Sequence, residues 1–147
     1  MTASNIHVQL HAAPWKSSLR PYCKTVRAAV SAALGKHTAE LTIVLTDDAL
    51  IRELNKTYRG KNKPTNVLSF PSGEKQYLGD IILAFETIKR EAAEQGKSFE
   101  HHAMHMLVHG TLHLLGYDHE NESDAETMER LEIKILKKLG ITNPYLY

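Results

Sequence analysis

Cysteine is almost missing from this chain. Cys23 stands alone among 147 residues, so no intramolecular disulfide can form. The cysteine-rich ligand sets common in structural zinc sites are excluded with it. Cys23 falls in a stretch with helical periodicity and reads as a small buried thiol rather than a nucleophile. No sign of charge dominates either: the formal net charge is +1, which excludes a globally basic nucleic-acid binder. No apolar run approaches ~18 residues, so no segment reads as crossing a membrane. Met1 to His11 lack the basic-then-apolar layout of a secretion signal. The expectation is a cytoplasmic protein with no membrane partner. Repeats, low-complexity tracts and linkers are also lacking, and the length suits one domain over residues 1–147.

What is present is ordinary globular material, 42% hydrophobic and 24% charged. Ile6 to Leu10 alternates apolar and polar residues and predicts a first strand. Tyr22, Val26, Ala29, Val30, Ala33 and Leu34 recur at helical spacing, and Gly35 stops the run. Leu41 to Leu45 predicts a buried strand. Asp47 then caps a short helix burying Leu50, Ile51, Leu54 and Tyr58. Arg59 to Pro64 is a polar loop. Asn66 to Phe70 and Gly79 to Ala84 predict two more strands, with Glu74 to Leu78 exposed between them. A helix follows from about Glu86 to near Gly96, and Ser98 caps another. Ser123-Asp-Ala-Glu126 has the form of a capping box for a last helix carrying Met128, Leu131, Ile135 and Leu139. This mixed order predicts an α+β fold: a mixed sheet of about four strands packed with helices.

Charge is unevenly placed. Arg52, Lys56, Arg59, Lys61 and Lys63 make one segment basic, while Asp118 to Glu132 is strongly acidic. A local basic patch can meet phosphates, although most such runs are solvated faces.

Histidine is abundant, with nine in the chain. His101, His105, His109 and His113 are each four apart, so neighbours share a helix face. Only His109 and His113 are followed by a glycine exit, Gly116, and a third histidine at His119. The spacing H-x3-H-x5-H lets two imidazoles on a helix and one beyond its bend converge on a transition metal. Three protein ligands leave a fourth tetrahedral position open, as catalytic rather than structural sites do. His101, His102 and His105 read as surface or supporting residues. The helix is apolar on its other sides and should lie centrally. The ligand spacing matches the zinc peptidase pattern H-E-x-x-H-x-x-G-x-x-H, a zincin-like arrangement. The glutamate that serves there as general base is replaced by Gly110.

Three blocks together resemble the YbeY family of bacterial rRNA-maturation endoribonucleases. They are His109-Gly-Thr-Leu-His113-Leu-Leu-Gly116-Tyr-Asp-His119, Tyr58-Arg59 through Thr65-Asn66 to Pro71, and Leu78-Gly-Asp80-Ile81. The likeness runs from Leu41 onward and departs at Asn66, where many members have Asp. It implies a metal-dependent, single-strand-specific endoribonuclease acting in 16S rRNA 3′-end maturation and late ribosome quality control. It implies one Zn2+ per chain on His109, His113 and His119, and ribosomal or small-subunit protein partners. Arg59 matches a residue important for activity, and with His113 it forms the expected catalytic pair. Arg59 could fork onto two phosphate oxygens, with Lys61 and Lys63 contacting neighbouring phosphates. The bland reading of Arg59 is a helix-terminal cation. Asp118 could orient an imidazole or cap a turn. Two rival functions share these features: a metallopeptidase-like hydrolase, and a non-catalytic ribosome assembly factor stabilised by zinc.

Overall fold

A computed structural model describes residues 4–146. Met1–Ala3, the start of the stretch read for a secretion signal, and Tyr147 lie outside the described residues. The chain runs β1 (Asn5–Leu10), α1 (Pro14–Ser18), α2 (Tyr22–Leu34), β2 (Glu40–Thr46), α3 (Asp48–Arg59), β3 (Val67–Pro71), β4 (Gly79–Ala84), α4 (Phe85–Glu94), α5 (Phe99–Leu114) and α6 (Glu122–Lys138). The sheet order is β1-β2-β4-β3. β1, β2 and β4 run parallel, and β3 is the antiparallel edge, so the sheet is mixed and the fold α+β as expected.

The central strands are covered on both sides. On β4, Ile81 and Leu83 enter the main core, while Ile82 and Ala84 face a smaller cluster with Ile51 and Leu68. Strand side chains alternate between faces, so a run apolar on both must be buried on both. The main core is filled by α2 and α5, with Val26, Val30, Leu107 and Val108 fully buried. α5 also packs on α4, α6, β3 and β4.

Several local expectations need correction. α1 was not anticipated: Pro14 occupies its first turn, and Trp15 is fully buried, donating from Nε1 to the Thr46 carbonyl at 2.7 Å. Its indole meets Phe85 and Phe99 at ring-centroid distances of 5.6 and 5.2 Å. Cys23 is half-buried, because it sits in the first turn of α2 beside the stripe that starts at Val26. On α3, Asp47 caps as expected, accepting from the Leu50 amide at 2.9 Å. The buried face is Ile51 and Asn55, however, and Leu50 and Tyr58 are exposed. Between β3 and β4, Tyr77 is half-buried because its hydroxyl bonds Thr42 and Asp80, both at 2.5 Å. The last helix is capped by Asn121, two residues before the proposed box, through a 2.9 Å bond to the Asp124 amide.

Candidate metal centre and its cleft

α5 is apolar almost all round, which places it between the sheet and its neighbouring helices. Ser98 starts it by accepting from the His101 amide at 3.1 Å. Gly110 seats it against the sheet. A Cβ there would lie 2.9 Å from Ile81 Cγ2 and 3.1 Å from Ser69 Oγ, and the Ser69 hydroxyl already donates to the Gly110 carbonyl at 3.2 Å. A glutamate at this position has no room, so the missing peptidase base is built into the helix–sheet packing. At the other end, Gly116 adopts φ 104°, a conformation that favours glycine. The Tyr117 amide turns back to the Leu112 carbonyl at 3.0 Å. The connection to α6 then carries His119 over the helix end.

The three histidines meet. His109 Nε2 and His113 Nε2 are 3.1 Å apart, and one ligand atom from each of the three rings lies within 4.8 Å of the others. Their ring centroids are separated by 4.6 to 5.6 Å. Nitrogens bound tetrahedrally at ~2.0–2.1 Å would stand about 3.3 Å apart, close to the spacing of the first pair. His109 Nδ1 is 3.1 Å from the Glu132 carboxylate and must donate to it. In the neutral ring that leaves His109 Nε2 as a bare lone pair aimed at its neighbour. Burial pushes the His113 ring down from the ordinary histidine value, and positive charge on His109 or His119 would push it further. Neutral rings are the form a metal takes. The group can therefore hold a metal ion. Asp118 turns its Oδ1 to the His119 amide at 2.7 Å, fixing the backbone at the third ring.

The histidines floor a cleft of about 970 Å3 whose walls include Tyr58, Arg59, Ser69 and Glu120. Arg59, the last residue of α3, therefore faces the same space as the imidazoles. Lys61 and Lys63 are exposed on the loop beyond that wall. The loop is tied down from below: buried Asn55 donates to the Lys63 carbonyl at 2.9 Å, and Arg52 Nε donates to Asn62 at 2.9 Å.

The remaining helix histidines divide. His101 is exposed, whereas His102 and His105 are buried at 3% and 6% exposure, the supporting alternative of the two expected. Each faces a carboxylate from another helix. His102 Nε2 lies 2.9 Å from Glu91 on α4, and His105 Nε2 lies 2.5 Å from Glu132 on α6. Asn66 also donates to Glu91, at 3.0 and 3.3 Å, so its side chain has a polar role. Burial pushes the Glu132 carboxyl up, but the hydrogen bonds from His105 and His109 outweigh it and hold the pKa at about 2. Glu132 escaped the sequence reading. Its signal was an acid inside an apolar stripe, since it is spaced with Met128, Ile135 and Leu136 on the buried face of α6.

The fold and site define an α+β protein whose open cleft ends on a three-histidine group able to hold a metal. The chain belongs to the YbeY family: the model described as "Endoribonuclease YbeY" matches residues 5–140. It is 52% identical over 129 residues to an Endoribonuclease YbeY of Chelativorans sp. strain BNC1, covering 83% of this chain and 79% of that relative. An Endoribonuclease YbeY of Parvibaculum lavamentivorans is 49% identical, with 95% of this chain and 84% of the relative covered. The solution structure of TM1509 from Thermotoga maritima matches with a TM-score of 0.59 at 26% identity, over 92% of this chain and 91% of that one. Among the described residues, no helix is long and apolar enough to cross a membrane.

Proposed function

We propose that this chain is a cytoplasmic, single-strand-specific metallo-endoribonuclease that matures the 3′ end of 16S rRNA and serves late ribosome quality control. It works as one metal-dependent hydrolase domain, with ribosomal or small-subunit proteins as partners. The observation that carries the reading is the convergence of His109, His113 and His119 at the floor of a cleft that also holds Arg59. Membership of a family whose relatives are named endoribonucleases supports RNA as substrate.

His109, His113 and His119 would hold one Zn2+, a choice favoured by three neutral imidazoles and an open fourth position. When bound, the cation supplies Lewis acidity toward a phosphoryl oxygen and lowers the pKa of water. The chain's own groups do the rest. Arg59 offers a planar fork of donors to two phosphate oxygens as negative charge builds on them. Among the described residues its guanidinium has no competing hydrogen-bond or ion-pair partner. Lys61 and Lys63 contact phosphates outside the cleft and hold the strand in register without reading its sequence. The packed position of Gly110 disfavours a peptidase, and the open cleft disfavours a purely structural metal.

One assay tests this reading. Purified protein is analysed for metal and for cutting of single-stranded RNA, comparing wild type, a chelated sample and His113→Ala. Cutting should need both the metal and His113. A folded His113→Ala protein that cuts RNA normally would refute the assignment. Arg59→Lys should lower the cleavage rate by about 10- to 100-fold, because an ammonium cannot make the paired contact.

A further inference from the structure

We propose that Glu132 is the positioning residue of the metal centre, holding His109 with Nδ1 protonated so that Nε2 is turned to the cation. The inference rests on the three-histidine metal reading given above and adds the group that prepares it. Glu132 is 1% exposed, and its two oxygens have three partners. Oε2 takes His109 Nδ1 at 3.1 Å. Oε1 takes His105 Nε2 at 2.5 Å and the Tyr145 hydroxyl at 2.8 Å. A carboxylate only accepts, so each partner must be a donor. The neutral His109 ring is thereby committed to one tautomer, with its second nitrogen bare. A histidine free to turn over would present an N–H to the cation half the time and bind it poorly.

The same rule explains His105. With Nε2–H spent on Glu132, its Nδ1 is a bare acceptor, and that atom is buried without a partner. A buried imidazole tolerates this cost only where its donor is strongly engaged. His105 therefore acts through Glu132 and not as a metal ligand. Tyr145 extends the support to the chain's C-terminal segment. That segment is fastened in turn by the Tyr145 amide on Asn143 at 2.9 Å and by Lys97 on the Pro144 carbonyl. The assembly reaches from the last residues of the chain, through α6, to the floor of the cleft.

The test reads the imidazole and the metal separately. Long-range 15N–1H correlation on metal-free wild type should show His109 protonated at Nδ1; protonation at Nε2 would overturn the proposal without any variant. Zn2+ and Co2+ titrations should then show Glu132→Gln binding about 10- to 100-fold more weakly, with a changed Co2+ visible spectrum. A folded Glu132→Gln with wild-type affinity and spectrum would also overturn it. If that variant fails to fold, the wild-type tautomer still decides. Wild type that binds neither cation defeats the three-histidine reading itself, a result distinct from binding that ignores Glu132.

Discussion

The two halves of α5 each carry a pair of histidines about one turn apart and put them to opposite uses. His102 and His105, in the first half, are buried and each is answered by a carboxylate from a neighbouring helix. His109 and His113, in the second half, look into open space and toward each other and His119. A paired, buried imidazole is a structural polar group, with its proton committed and its solvent gone. Imidazoles that turn ring nitrogens toward one another in an open cleft can gather on a metal. What faces the helix decides, since both pairs lie about one turn apart. His109 belongs to both worlds, with Nδ1 on Glu132 and Nε2 in the cleft.

The largest effect should come from forcing the second half off the sheet. Gly110→Glu would restore the peptidase motif on paper while driving a Cβ into Ile81 and Ser69. Overpacking costs about 1–3 kcal/mol and an unpaired buried carboxylate adds to it, so a loss of roughly 3 kcal/mol or more is expected. Urea unfolding measures this. A variant as stable as wild type would mean that the helix can lift, and that the glycine is not what excludes the base.

Metal removal separates the halves next. A ligand bound only by the folded state at 100 times its Kd adds about 2.7 kcal/mol of stability. Chelation should lower the Tm of wild type by a matching amount and leave His113→Ala indifferent. His102→Ala should respond to chelation as wild type does. Its own cost should be about 2 kcal/mol at neutral pH, because Glu91 keeps Asn66 but loses its charged or polar partner above. A chelator-insensitive His102→Ala protein would merge the two halves into one function and remove the contrast.

Acid sharpens the same division. Burial raises the Glu91 carboxyl, but hydrogen bonds from His102 and Asn66 outweigh it and hold it below the ordinary value of 4.5. A carboxyl lowered by folding contributes stability above its unfolded value and loses it as pH falls through the folded one. The Glu91 contribution should therefore fade below pH 4.5, and that of Glu132 between 4.5 and about 2. His102→Ala should flatten the acid slope of stability below pH 4.5. A slope identical to wild type would show that His102 does not hold the carboxyl down.

Much of this contrast was legible from spacing, and its causes were not. Gly79–Ala84 reads as a strand because its neighbours cover both faces, and Gly35 and Gly116 mark turns that only glycine adopts easily. The convergence of His109, His113 and His119 follows from one helical turn and one bend. Local pattern stops there. The acids that bury His102 and His105 lie 11 and 27 residues away, on other helices, so periodicity on α5 cannot name them. Asn121 captured the cap of α6 because its side chain reaches the Asp124 amide, a competition between nearby polar residues that a motif search settles by form alone. Tyr58 scored as core by spacing, yet it stands at the rim of the cleft with Phe70, ring centroids 5.3 Å apart.

The smallest and most diagnostic change is Asn66→Asp. Here it would replace two donor contacts to Glu91 with a second carboxylate at the same distance. Two acids that close share one proton, so the pair's higher pKa rises and the proton is taken up on folding. A raised folded pKa reverses the sign argued for Glu91: the variant loses stability as pH rises through the pair's value and regains it on acidification. About 1 kcal/mol at neutral pH is expected for this half-buried site. Thermal melts between pH 4 and 8 should bring the variant toward wild type at the acid end. A constant offset across that range would mean that the introduced carboxylate swings away from Glu91. His102 would then hold Glu91 alone, and the first half of α5 would be simpler than the paired cluster described above.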